Sequence, residues 1–330
     1  MRGKYPWRFV TYKIFCKINK PNWYLFWFRK DISSLKVFSE NTFQLDLKTY
    51  DGLNQAVHPD VIFKDGKYYM AISPWPFMIN KYENPCLFLS DDGINFSPLP
   101  NCQPLVFPRK SKKITYLSDP AVIYTDNLFC VYYREVEDID GYQYYVRIYK
   151  VTSADLSSWS KPILLSEGKN EFLSPAVISR NGVLEIYYVA SSSNREIYNL
   201  YRCQEIANTF TNHELLHING MPEGFSLWHI GIFKHLNQLF GLMTLKNKSD
   251  EKDNFLRLYF AKGGNDGENW VITDEIRLIK NQESVFSSLY KSSIVINDKN
   301  ECNLYVSGQI GFKGTIYIIT NFRLDNYIQS

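Results

Sequence analysis

Along most of the chain, short runs of β-branched and aromatic residues alternate with one- or two-residue polar turns, and no stretch keeps a helical period. One phrase recurs: a polar residue, Pro, then a β-branched run. It reads His58-Pro59-Asp60-Val61-Ile62, then Asp119-Pro120-Ala121-Val122-Ile123, then Ser174-Pro175-Ala176-Val177-Ile178, with successive spacings of 61 and 55 residues. Degenerate copies stand at Trp228-His229-Ile230-Gly231-Ile232 and at Lys291-Ser292-Ser293-Ile294-Val295-Ile296. Each opening run leads through a tight polar turn (Lys64-Asp65-Gly66-Lys67, Thr125-Asp126-Asn127, Arg180-Asn181-Gly182) into a second, aromatic run. Asp-Gly and Asn-Gly between such runs are hairpin signals. A later phrase pairs a turn with an aromatic residue, ending in Phe96, Trp159 and Trp270, and predicts a plug between neighbouring sheets.

Five such units of about 55 residues, each worth four antiparallel strands, predict an all-β, five-bladed β-propeller. A pair of β-sandwiches is the alternative, but no linker divides the repeat. The expected domains are a basic, aromatic N-terminal segment at 1–40 and the propeller at 41–330. Phe43-Gln44-Leu45-Asp46-Leu47 alternates at period two and is expected to close the ring against the last blade.

Composition agrees with strands, since 16% of the 330 residues are aromatic. The net charge of +3 conceals eight Lys or Arg and no acid in residues 1–30, which leaves the remainder at −5 and argues against nucleic-acid affinity. Ten aromatics share that segment, so it either packs on the propeller flank or adsorbs to an anionic membrane surface. Six scattered cysteines form no metal-ligand spacing and are expected to be reduced, in a cytoplasmic protein with peripheral membrane contact as the open variant. Phosphate-loop, dinucleotide, zinc-protease and nucleophile-elbow motifs are absent from the sequence.

In a propeller the innermost strands converge on one funnel, which would bring together His58, Asp60, Asp119, Ser174, Trp228, His229 and either Tyr290 or Lys291. Loops beside the second strands add Trp75, Glu83, Asn84, Arg134 and Glu135. Acids, imidazoles and aromatic rings around one concavity suit a sugar, which needs paired polar groups and flat apolar surfaces. Strand alternation puts Asp60 on the same side as His58 and separates Glu135 from Arg134.

On Ser118-Asp119-Pro120, the Pro-Val-Ile strand openings and the turn-aromatic phrase, residues 50–330 resemble the five-bladed propeller glycosidases, the superfamily of the family 43 arabinanases and xylosidases and the family 32 fructosidases. His58-Pro59-Asp60-Val61 and Tyr82-Glu83-Asn84-Pro85 are similar to a bacterial and phage subgroup of that fold. The resemblance implies a base or nucleophile on the first blade, an orienting Asp on the second and a general-acid Glu on the third. Asp119 takes the orienting position. His58 replaces the first-blade Asp, with Asp60 two residues on, and Leu173-Ser174-Pro175 replaces the third-blade Glu-x-Pro, with Glu171 displaced. The expected carboxylates are therefore Asp60, Asp119 and either Glu83 or Glu135. His58, Trp75, Asn84, Arg134, Ser174, Trp228 and His229 would hold the substrate. No cofactor is expected, although His58, Asp60, Asp119 and His229 could together take a divalent cation such as calcium, which some members of the resembled group carry. The expected activity is hydrolysis of a bacterial poly- or oligosaccharide. The alternative is a non-catalytic glycan-binding propeller tied to surface-polysaccharide synthesis.

Overall fold

The computed structural model describes residues 37–109, 115–139, 144–169, 171–191, 198–247, 255–264, 266–280, 282–310 and 313–328. The basic segment 1–30, with its membrane-contact expectation, lies outside them.

Two short strands open the described chain, β1 (Val37–Ser39) and β2 (Thr42–Gln44). Blade one follows as β3 (Ala56–Lys64), β4 (Lys67–Pro74), β5 (Cys86–Ser90) and β6 (Ser97–Pro98). Blade two is β7 (Thr115–Thr125), β8 (Leu128–Asp138), β9 (Tyr144–Ser153) and β10 (Ile163–Lys169). Blade three is β11 (Leu173–Arg180), β12 (Val183–Ser191), β13 (Tyr198–Ile206) and β14 (Thr209–Leu215). Blade four carries β15 (His217–Asn219) parallel to its outer strand and contains β16 (Phe225–His235), β17 (Gln238–Asn247), β18 (Arg257–Gly263) and β19 (Asn269–Ile276). Blade five is β20 (Ser288–Ile296), β21 (Cys302–Ile310) and β22 (Lys313–Ile319), completed by β2 and β1 on its outer edge.

That completion locks the ring. Thr42 pairs with Ile319 and Gln44 with Tyr317, and the Leu45 amide donates to the Ile316 carbonyl at 2.9 Å, as the period-two pattern around Phe43 predicted. The expected boundary at residue 40 falls inside this β1–β2 hairpin. Without it, β22 would be an open edge.

The turns between first and second strands follow from their residues. Asp65 and Gly66, Asp126 and Asn127, and Asn181 and Gly182 all hold positive φ, the conformation a two-residue hairpin of this twist demands. The core is five apolar clusters, one at each blade interface, rather than one central mass. Phe96 fills the interface of blades one and five against Tyr305, and Trp270 fills that of blades three and four against Tyr187. Gly93 turns beneath Tyr305 at φ +75°, where a Cβ would lie 2.9 Å from the phenol oxygen. The turn-aromatic phrase is thus the mortar between blades.

The polar-Pro phrase has a different cause. All five innermost strands break register at the same place, between Val57 and Asp60, Ser118 and Ala121, Leu173 and Ala176, Leu227 and His229, and Leu289 and Ser292. In the first three blades the residue before Pro (His58, Asp119, Ser174) sits in this bulge at positive φ. Each such conformation costs on the order of 1–3 kcal/mol. The bulge turns the side chain out of the sheet's alternation and toward the axis.

Candidate functional site

A cavity of about 210 Å³ opens at one end of the ring over blade two. Blade one contributes His58, Trp75, Asn80 and Glu83 to its wall, and blade two contributes Tyr116, Ser118, Arg134 and Tyr144. Blade three adds Glu171 and Tyr198, blade four Trp228 and blade five Tyr290.

Behind the wall residues His58, Ser118 and Arg134, Asp119 is completely buried. Its Oδ2 is bound by the Arg134 guanidinium and lies 3.3 Å from the Ser118 hydroxyl, while Oδ1 lies 3.0 Å from His58 Nε2 and 3.6 Å from His229 Nδ1. Burial pushes the Asp119 carboxyl upward, but the Arg134 guanidinium beside it outweighs this and holds the group well below the usual carboxylate range. Asp119 is therefore a permanent anion. Burial has the opposite consequence for the imidazoles: it drops His58 to about 4 and His229 well below its ordinary value, so both are neutral at neutral pH.

Glu83 lies beside this anion, buried, in the loop between β4 and β5. The Ser118 hydroxyl donates to its Oε2 at 2.8 Å, and His58 Nδ1 is 4.0 Å away. Burial, with the neighbouring Asp119 charge adding to it, pushes Glu83 up to about 8. It is a protonated acid at neutral pH. Its loop is pinned from behind by Asn84, whose amide donates to the Tyr50 hydroxyl at 2.8 Å, and Tyr50 in turn donates to the Tyr82 carbonyl. Glu171 stands at the rim on the far flank of blade two, more exposed, its carboxyl also raised by partial burial.

The aromatic walls are held in place. Trp75 Nε1 donates to Asn80 Oδ1 at 3.0 Å, and its ring stacks on Tyr290 at 6.0 Å with 25° between planes. Tyr198 meets Trp228 edge-on at 5.2 Å, and the Lys246 ammonium lies 5.2 Å from the Trp228 ring centre.

Of the residues expected from the sequence, Glu83, His58, Trp75, Arg134 and Trp228 line this cavity, with Asp119 and His229 buried against one another just behind the wall. Four expectations are corrected. Asp60 does not line the cavity, because the bulge between Val57 and Asp60 breaks the alternation that would have set it beside His58. Its carboxylate accepts instead from the Val122 amide at 2.7 Å and the Ser293 hydroxyl at 3.5 Å, tying blade one to blades two and five. Ser174 is a tie of the same kind: its hydroxyl donates to the Ile230 carbonyl and accepts from the Ile230 amide, both at 3.1 Å. Glu135 points to the other face of β8, where Arg109 binds it at 2.6 Å and Arg147 at 3.5 Å. Asn84 supports the Glu83 loop from outside the cavity.

Glu171, Ser118, Tyr198 and Tyr290 are wall residues that the sequence reading did not assign. Glu171 was visible only as a displaced remnant of the third-blade acid, and Tyr290 only as one of two fifth-blade options. Lys291, the other option, is buried, and its ammonium donates to the Pro175 carbonyl at 2.9 Å and the Pro120 carbonyl at 3.4 Å, bracing blade five against two and three.

Three buried side chains could hold a metal ion: His58, Asp119 and His229 offer donor atoms that all lie within 4.8 Å of one another.

No family model and no curated protein matches the chain. Solved structures do. An N-acetylgalactosamine deacetylase from F. plautii, in complex with blood group B trisaccharide, superposes with a TM-score of 0.67 at 16% identity over 84% of this chain and 93% of that one. A xylan β-1,4-xylosidase from Bacillus halodurans C-125 gives 0.63 at 14% identity over 81% of this chain and 52% of that one. A thermostable family-43 glycoside hydrolase gives 0.61 at 14% identity over 87% and 92%. The chain therefore shares the five-bladed propeller fold of these proteins.

Proposed function

We propose that the protein is a carbohydrate hydrolase that cleaves a glycosidic bond in this cavity, with Glu83 as proton donor and Glu171 as the opposing base or nucleophile. The observation that carries this proposal is that Glu83 of blade one and Glu171, just before blade three, line the same pocket, while Asp119 of blade two is buried against the wall residues His58 and Arg134. The resemblance also implies one carboxylate from each of blades one to three, with the base on blade one and the acid on blade three, so the roles proposed for Glu83 and Glu171 are exchanged relative to it. The aromatic rings of Trp75 and Trp228 supply apolar faces for a sugar, and Arg134, Asn80 and Ser118 supply hydroxyl partners. A cavity of about 210 Å³ suits a single sugar residue at the cleavage point more than a long buried chain.

The chemistry is a two-carboxyl displacement. The Glu83 O–H gives its proton to the glycosidic oxygen as the bond from that oxygen to the anomeric carbon breaks. Water supplies the new bond to that carbon, and its proton passes to Glu171. If Glu171 attacks first, water then cleaves the resulting ester. Asp119, fixed as an anion by Arg134, aligns His58 and stabilises positive charge developing on the ring.

Aryl glycosides with good and poor leaving groups test the assignment. Glu83→Gln should lose turnover of unactivated substrates while keeping much of it on activated ones, which need no acid. Glu171→Gln should lose both. Equal loss on both substrate kinds with Glu83→Gln, or full activity in Glu171→Gln, overturns the roles.

The His58–Asp119–His229 cluster supports a second reading, hydrolysis of an N-acyl group on an amino sugar: these three side chains would hold a metal ion, which would supply an activated water, and Glu83 would serve as the acid/base. Among the structural neighbours, the F. plautii protein is named for deacetylation of N-acetylgalactosamine. Release of acetate without new reducing ends from acetamido sugars would favour this reading over the first.

A further inference from the structure

His58, Asp119 and His229 come from three different blades, one, two and four; His58 and Asp119 sit in the register break of their innermost strands, and His229 is the first paired residue after the break in its own. Their polar atoms are left oddly provided for. Both ring nitrogens of His58, both of His229 and Oδ1 of Asp119 are buried with no hydrogen-bond partner. One donor atom from each of the three side chains lies within 4.8 Å of the others, a concentration of unmet polar capacity that buried interiors avoid. A cation at their centre would take one nitrogen lone pair from each neutral imidazole and one from the carboxylate oxygen, the second nitrogen of each ring carrying its proton. Asp119 is already suited to a one-oxygen role: Oδ2 belongs to Arg134, and Oδ1 faces the histidines.

Other occupants fit less well. Lys291 is committed to the Pro175 and Pro120 carbonyls, so its ammonium does not serve the histidines. Two nitrogen donors with one oxygen are a poor set for calcium, which takes six to eight oxygens, and a suitable one for zinc or another divalent first-row ion. Asp60, which the sequence placed in a calcium-type set, is spent on Val122 and Ser293.

We propose that His58, Asp119 and His229 form a binding site for one divalent transition-metal ion, with His58 at the cavity wall so that the remaining coordination positions face the pocket. Three protein ligands and open positions are the pattern of a metal that presents water or substrate rather than one that only braces the fold. Metal uptake by these side chains is independent of which bond the pocket breaks, so it can fail while glycoside hydrolysis stands, and the reverse.

The test uses the full chain, stripped with a chelator and titrated with Zn²⁺ and, separately, Co²⁺. Calorimetry should give one equivalent per chain, and bound Co²⁺ should show the intense visible absorption of a low-coordinate site with nitrogen ligands. His58→Ala and His229→Ala, checked for fold by circular dichroism, should weaken binding by about 100-fold or more, while His213→Ala on the outer part of blade three should not. Absence of saturable uptake by the wild-type chain, a Co²⁺ spectrum of the hydrated ion, or unchanged affinity in both folded variants would overturn the proposal. If the alanine variants do not fold, the wild-type titration and spectrum decide it alone.

Discussion

Glu83 is costly to the fold in the state a neutral solution would otherwise impose on it, and removing its charge should make the protein more stable. The group has an ordinary carboxyl value of 4.5 and is held at about 8 in the folded chain, mainly by burial. Above pH 4.5 the unfolded chain gives up this proton, while the folded chain keeps it until about pH 8. The native state then binds more protons than the unfolded one, so the Glu83 contribution falls as pH rises through that window. At 1.36 kcal/mol per unit, the penalty reaches about 3 kcal/mol at pH 7. Glu83→Gln keeps an oxygen to accept from the Ser118 hydroxyl and has no charge to bury. Allowing for imperfect amide hydrogen bonding, the variant should be more stable than wild type by about 2 kcal/mol at pH 7, a rise of about 4 °C in melting temperature for a chain of this size. The advantage should vanish at pH 4.5 and widen steadily toward pH 8. Urea unfolding of both proteins in chelator across pH 5 to 8 measures it. Parallel stability curves for wild type and variant would mean that Glu83 ionises in the fold as it does in water and carries no burial penalty.

Trp228→Ala and Trp75→Ala should each weaken glycan affinity by about 1–3 kcal/mol in calorimetry, and each should cost less stability than the roughly 3–5 kcal/mol of a large core truncation; normal binding by both would remove the rings from the substrate platform. Lys291→Met should destabilise the ring by about 2–4 kcal/mol in urea, because it leaves two buried proline carbonyls without their donor and removes the positive charge that offsets buried Asp60; a cost under about 1 kcal/mol would show the brace to be dispensable. Glu135→Gln, on the far face of β8, should leave turnover per folded molecule unchanged, and a loss matching that of Glu83→Gln would return Glu135 to the site.

The architecture was legible because its causes repeat. Polar-Pro at about 55–61 residues marks the bulge that every inner strand carries, and the aromatic after each turn marks a blade interface, so five units could be counted before any contact was known. The site was legible only where that repeat held. His58 and Asp119 precede Pro in the bulge and reach the axis, whereas the bulge itself breaks the period-two rule that put Asp60 beside His58. Alternation worked where the strand is regular, separating Glu135 from Arg134 on β8. Ser174 shares the bulge geometry of His58 and Asp119, but the Ile230 backbone lies within reach and absorbs its hydroxyl. Glu171 and Tyr198 come from blade edges that carry no repeated phrase, and only the closed ring brings them to the cavity that Glu83 lines.

The most direct test of the central claim is product analysis after incubation of the wild-type chain and Glu83→Gln with a panel of bacterial poly- and oligosaccharides. New reducing ends should appear with the wild type on at least one sugar that both proteins bind, and should be lost on that unactivated substrate in the variant. Saturable binding of a glycan by both proteins with no new reducing end from either would contradict the account and leave the cavity as a glycan-binding site.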